Sequence, residues 1–306
     1  MTLRVAVITN GNFFSTLMLR PVFEAAETEM VGAVLVRQPP GKGGRAGRLW
    51  RLSRRTGFRY ARHKAGTLLV PKAYGVLTGT PVFLPGLCRR HGVGFLQVPN
   101  ANDPEAKAFL REARPDVLLS VSCPQRIDAD TLRIPAVAAV NIHWALLPGY
   151  AGIAPYFWVL RHGEERTGLT VHVMAPELDV GPVLRQREVE IRPEDSSLSL
   201  QLRLARAGSE ELVAAIRDLP GSLAQARGQD LTGRSYFTWP TPDDVRALRA
   251  RGRRLARWGD YREGFRMASA PTTIRARMPR PDPAQAGSEG DSPGPSSADD
   301  AGREER

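Results

Sequence analysis

Asn141 and His143 stand two residues apart at the end of a short apolar run, AAVNIH, and so project to the same side of an extended chain. An asparagine amide polarises a carbonyl, and an imidazole takes up or releases a proton near neutral pH. Together they suit acid–base chemistry at a carbonyl carbon. Further along, Glu177-Leu178-Asp179-Val180-Gly181-Pro182 offers a carboxylate in a loop. Each motif also has a plain structural reading. Asn141 can cap a turn, His143 can fill a half-buried niche, and Asp close to Gly is ordinary turn chemistry. Taken one motif at a time, both readings stand.

The elements around these residues follow an alternating rhythm. Arg4–Thr9, Met30–Val36, Val117–Val121 and Ala138–Ile142 are short β-branched or aliphatic runs that read as buried strands. Asn10-Gly11-Asn12 ends the first, and a helix is expected from there to about Glu27, started or kinked by Pro21. Asp103-Pro104-Glu105 is a helix start running to about Ala113, with Asp as N-cap and Pro in the first turn. Pro155–His162 reads as a short helix, Leu169–Met174 as a strand, and Val183–Ile191 as a half-exposed strand because apolar and polar residues alternate. Ser197–Leu219 is the longest helical pattern. Strands alternating with helices predict an α/β fold with a doubly wound, mostly parallel sheet. Polar residues at strand ends in such a sheet sit at the crevice where ligands bind.

Composition narrows the function classes. The chain has 306 residues and a net charge of +11. The charge is uneven: between Val31 and Asn102 there is no Asp or Glu but there are 13 Lys and Arg, while the remainder holds 30 basic and 32 acidic residues. Two cysteines, Cys88 and Cys123, are too few for a disulfide framework. No apolar run reaches the roughly 18 to 20 residues of a membrane span. The start has no signal-peptide pattern, so the expected location is cytoplasmic. Residues 41–64 form a basic insertion with interleaved aromatics and a helix. Residues 269–306 lack the apolar side chains needed to pack and are expected to be disordered.

Several motifs in fixed order carry a resemblance. NIHWALLPGYAG (141–152), Pro155 and Trp158, TGLTVHVM (167–174) and ELDVGPVLRQ (177–186) resemble the folate-dependent formyltransferases, the group of methionyl-tRNA, glycinamide ribonucleotide and amino-sugar formyltransferases. The likeness covers about residues 3 to 220. It implies a Rossmann-like formyltransferase fold with a short C-terminal extension: a catalytic domain over 1–219 and a small subdomain over 220–268. It also implies a catalytic set of Asn141, His143 and Asp179, and 10-formyltetrahydrofolate as co-substrate, with no metal. The folate is expected in a cleft between VSCPQRI (121–127) and the Asp179 loop, touching Ser122, Gln125, Ile127 and Asp179. His172 falls where the family has a residue lining the site, and a satisfied strand histidine is an equal reading. Two departures are Ala151, where the family usually has Arg, and Ala145, where it often has Ser; the first puts in doubt any acidic group that an arginine there would anchor.

The acceptor implied is a small-molecule amine such as an amino sugar, nucleotide-linked in one version. SYFTWPTPDDVRALRARGRRL (235–255) reads as a strand, a turn and one basic helix, and resembles the short tails of amino-sugar formyltransferases through Tyr-Phe-x-x-Pro. Transfer to methionyl-tRNA is the alternative, since Gln38-Pro39-Pro40-Gly41-Lys42-Gly43 sits where tRNA formyltransferases carry a basic loop. A folate-binding protein or a 10-formyltetrahydrofolate hydrolase of the same fold is a further one. The basic segment 41–64 suits nucleic-acid phosphates, an anionic membrane surface or a nucleotide's pyrophosphate.

Overall fold

A computed structural model describes residues 2–37 and 44–271, with the backbone alone at 45, 46 and 48. The β-branched run near the amino terminus becomes β1 (Leu3–Thr9), and its residues Val5–Ile8 are fully buried. Val5 and Val7 join one core cluster while Ala6 and Ile8 join the other, as a strand with both faces covered requires. Asn12 caps α1 (Phe13–Glu24), which keeps Pro21 in its interior and stops short of Glu27. β2 is Thr28–Val36. Two helices follow, α2 (Gly44–Thr56) and α3 (Phe58–Thr78), so the basic insertion is a helical pair whose second member continues well past Lys64. The reason is packing. Tyr60, His63, Thr67 and Pro71 recur at helical spacing and are buried. Tyr60 is fully enclosed, its ring 5.7 Å from Phe157 and 6.3 Å from Trp239.

Next come α4 (Leu84–Arg90) and β3 (Phe95–Val98), two elements not expected from the sequence, then α5 (Pro104–Ala113) and β4 (Val117–Val121). Asp103 occupies the N-cap of α5 without a side-chain cap bond. α6 (Ala129–Leu132) precedes β5 (Ala138–His143), the two-residue β6 (Ala151–Gly152) and α7 (Pro155–His162). β7 (Arg166–Val173) begins three residues ahead of the expected strand, and β8 (Val183–Glu190) follows it. The long helical pattern is α8 (Ser197–Arg217) and then α9 (Leu219–Ala224). Ser196 and Ser199 form a reciprocal capping box at the start of α8.

Seven strands make one sheet in the order β3-β2-β1-β4-β5-β7-β8. The first five are parallel; β7 and β8 add antiparallel to the edge. The strand order reverses between β1 and β4, which puts the crevice at their carboxyl ends. α8 crosses over β5 and α1 so closely that a Cβ on Gly208 would lie 2.4 Å from Met18 Cε and 3.1 Å from Ile142 Cδ1. A side chain there would force the end of Met18 to move.

The chain then folds back. β9 (Tyr236–Phe237) pairs with β6, α10 (Pro242–Ala250) packs on α7 and α3, and α11 (Trp258–Ser269) packs on α8 and α3. The strand, turn and helix expected in 235–255 are present, and α11 is an addition. The described residues form one compact unit. The 38–43 motif, and the 269–306 stretch from residue 272 onward, lie outside the described residues.

Candidate active site

β5 delivers Asn141 and His143 on the face opposite Val140 and Ile142, which point into the core beneath α8. Both polar residues lie at the carboxyl end of the strand, where the crevice opens. Across the antiparallel step to β7, His172 stands directly opposite Asn141. Directly opposed side chains are close enough to bond, and Asn141 Nδ2 lies 3.0 Å from His172 Nε2. His172 Nδ1 is 2.9 Å from the Val173 carbonyl oxygen. A neutral imidazole has one donor and one acceptor nitrogen. His172 therefore donates through Nδ1 to that carbonyl and accepts through Nε2 from the Asn141 amide. Burial lowers the His172 pKa, against the pull of the Val173 carbonyl and Asp179, and so favours the neutral ring. The direction in which the Asn141 amide faces is thus set from β7.

His143 is buried, with Nε2 2.9 Å from the Tyr150 carbonyl oxygen. Its other nitrogen, Nδ1, faces Asp179 Oδ1 at 3.6 Å. That separation is longer than a hydrogen bond, so in the described state it is the Tyr150 carbonyl that directly fixes the ring. A protonated ring presents its second N–H to Asp179. The Tyr150 carbonyl is itself held: the phenol donates to Glu164 Oε1 at 2.6 Å, and the backbone N–H donates to Ser235 Oγ at 2.9 Å. Burial raises the Tyr150 pKa, with Glu164 adding to it, so the phenol stays protonated.

Asp179 reaches the site from the loop between β7 and β8. Its Oδ2 accepts from Gly152 N at 3.2 Å. Gln229 Nε2 donates to the carbonyls of Asp179 and Gly181, and Arg234 donates to Leu178 O. On the other side Arg126 donates to Pro176 O. Gly181 passes so near β7 that a Cβ would lie 1.8 Å from the Val173 carbonyl oxygen, so only glycine fits. Among the described residues five non-glycine residues have left-handed backbone, and four of them, Ser122, Tyr150, Ala154 and Asp179, lie on the loops around this cluster. Such concentration of strain is a feature of functional sites.

The three residues expected to be catalytic therefore converge, and His172 joins them. Of the residues expected to touch folate, Ser122 accepts a hydrogen bond from Trp144 Nε1 at 3.1 Å on the rim of the crevice. Gln125 is occupied with its own chain: its Oε1 accepts from Ala101 N at 2.7 Å and its Nε2 donates to Pro99 O at 3.0 Å. Ile127 is buried in the second core cluster, which also holds Ala139 of β5 and so lies on the same face of the sheet as Asn141. Cys123, beside Ser122, has its thiol pushed up to about 11 by burial and is protonated at neutral pH. Tyr150 and Gln229 were missed by the sequence reading, since each acts through a backbone contact that no local pattern announces. The signal for His172 was its place in TVHVM, where the family has a residue lining the site.

The fold is an open, doubly wound α/β sheet with Asn141, His143 and Asp179 gathered at its carboxyl edge. The chain belongs to the formyl transferase family, whose model matches residues 3–216. Among curated proteins it is similar to methionyl-tRNA formyltransferase of Thermotoga maritima, 35% identical over 165 residues, or 54% of this chain and 53% of that one. The chain thus matches about half the length of such relatives. Among solved structures it is similar to glycinamide ribonucleotide transformylase 1 of Symbiobacterium toebii, at TM-score 0.50 and 17% identity over 75% of this chain and 95% of that one. It also matches the N-formyltransferase of Helicobacter canadensis in complex with folinic acid and dTDP-3-aminofucose, at TM-score 0.50 and 12% identity over 80% of this chain and 72% of that one. These two likenesses are of fold alone.

Proposed function

We propose that this protein transfers the formyl group of 10-formyltetrahydrofolate to the amine of a small-molecule acceptor, such as an amino sugar. The observation that carries the reading is the convergence of Asn141, His143 and Asp179 at one point of the crevice in a chain of this family. The donor supplies a formyl carbon activated by its amide nitrogen. As the acceptor amine adds to that carbon, negative charge collects on the formyl oxygen. Asn141 has one amide hydrogen engaged by His172 and a second free to donate to that oxygen. His143 takes up the amine's proton as the new bond forms and so places positive charge beside that oxygen, and Asp179 stabilises the charged ring across the 3.6 Å gap. The amine's proton leaves as its bond to carbon forms, and a proton is returned to the folate nitrogen as the old bond breaks. His143 is the group able to hold that proton between the two events.

The segment after α8 supports a small acceptor. It pairs β9 with β6 and stacks Phe237 on Tyr150 at 5.3 Å and on Trp158 at 4.8 Å, building an aromatic flank beside the Tyr150 loop. Methionyl-tRNA is the second reading, favoured by the curated relatives over the matched half. Ala151, standing where the family usually has Arg, is fully buried in β6 and offers no cation to a phosphate. The test is to supply 10-formyltetrahydrofolate with a nucleotide-linked amino sugar, with glycinamide ribonucleotide or with methionyl-tRNA, and follow tetrahydrofolate release and formylated product. Product from the amino sugar is expected. Formylation of methionyl-tRNA alone would replace the first reading by the second, and no transfer to any acceptor would leave only the family and the fold.

A further inference from the structure

α3 turns two unlike faces to its surroundings. Inward lie Tyr60, His63, Thr67 and Pro71. Outward, Phe58, Arg62, Leu69 and Val76 share one stripe, because steps of four and seven residues return to the same side of a helix. Phe58 is 73% exposed, Val76 77% and Leu77 85%, and Leu68 and Leu69 are exposed beside them. Soluble surfaces scatter large apolar side chains singly; here one helix carries five. Leu49 and Trp50 on α2 and Trp258 on α11 are exposed as well, and both helices pack against α3.

The charge on α2 and α3 has one sign, while the neighbouring α10 and α11 carry Asp243, Asp244, Asp260 and Glu263. The chain has no Asp or Glu between Val31 and Asn102. Among the described residues Arg54, Arg55, Arg59, Arg62 and Lys72 have no ion pair with a carboxylate. Arg54 sits over the Trp50 ring at 4.9 Å instead. Where α3 ends, Lys72 and Val76 border an open cavity of about 830 Å³ whose lining includes Arg37, Arg89 and Arg90 and no acidic residue.

We propose that α3, with α2 beside it, docks this protein on an anionic lipid bilayer. Such a surface answers both features at once: acidic headgroups face the unpaired cations, and the apolar side chains enter the boundary between headgroups and acyl chains. Other occupants answer only one. A second copy meeting this face about a two-fold axis would set basic residues against basic residues. RNA would match the charge but has no use for Leu68, Leu69, Val76 and Leu77, since bases stack on aromatic rings and not on aliphatic chains.

The full chain is sedimented with vesicles of phosphatidylcholine alone or of phosphatidylcholine and phosphatidylglycerol in equal parts, at low and high salt. Binding to the anionic vesicles only is expected, weakened by salt. The variant Leu69→Ser/Val76→Ser/Leu77→Ser should lose about tenfold or more in affinity, as should Arg59→Gln/Arg62→Gln/Lys72→Gln. These side chains are exposed, and an unchanged melting curve checks that each variant is folded. No sedimentation of the wild type overturns the proposal. So does full binding by the apolar variant, which would reduce the effect to bulk charge; poly(U) binding insensitive to that variant would then assign the face to RNA. A dimer by light scattering that the apolar variant dissolves would assign it to a second copy. No folate or acceptor enters the assay, so its outcome is independent of whether formyl transfer is found.

Discussion

His143 grips the Tyr150 carbonyl with one nitrogen and faces Asp179 with the other, so each polar group of the cluster depends on its neighbours for direction. Asn141→Ala, His143→Ala and Asp179→Ala should each lower kcat by on the order of 10² to 10⁴, as lost acid–base or oxyanion contacts do. The double change at His143 and Asp179 should cost little more than the worse single one, because groups acting as a unit are not additive. Near-normal turnover of His143→Ala with a confirmed acceptor would sink this mechanism. His172 acts one step back, on Asn141. His172→Phe keeps the ring and removes the acceptor for the Asn141 amide, which then loses its fixed orientation. A fall in kcat of about 10- to 100-fold with folate affinity retained is expected, since misplacement of a positioned group costs that much. If kinetics did not change while the fold persisted, His172 would be only a satisfied strand residue.

Asp179 can reach the cluster only because its loop is clamped from two sides, by Gln229 and Arg234 after α9 and by Arg126 before α6. Gly181 is the tightest point of that loop. Gly181→Ala should cost about 1–3 kcal/mol, as overpacking against fixed backbone does, and should lower kcat with it because Asp179 moves. Thermal melts and steady-state kinetics check both; an unaffected melting temperature would show that β7 yields to the extra methyl group. Elements with strong local signals were legible: β1, β4, β5, α5, α7 and α8 fall where periodicity and capping put them. α4, β3 and α11 were not, because Leu84–Arg90, Phe95–Val98 and Trp258–Ser269 are short or mixed in character and take their state from what they pack against.

Across the whole molecule, the basic segment plays two parts, since α3 faces outward with charge and inward with core. His63 lies on the inner face, and burial, with Lys64 adding to it, takes its pKa from the ordinary 6.5 down to about 3. The unfolded chain takes up this proton near 6.5 and the folded chain only near 3, so the unfolded state binds more protons in between. Stability should therefore be intact above that window and fall as pH drops through it, by on the order of a few kcal/mol at the acid end. Melting of wild type and His63→Gln from neutral to acid pH tests this: the variant should show the shallower decline, and parallel curves would mean that His63 finds a partner for its charge. The sequence by itself determined the strand–helix alternation, the polar pair at the end of β5 and the family, because each is written in local spacing and in motif order. Only the tertiary structure decided that His172 sets the Asn141 amide, that a backbone carbonyl holds His143, and that the Gln125 side chain bonds Ala101 and Pro99. Those outcomes depend on strand register and on loops meeting across long stretches of chain, and a one-dimensional pattern has no coordinate for either.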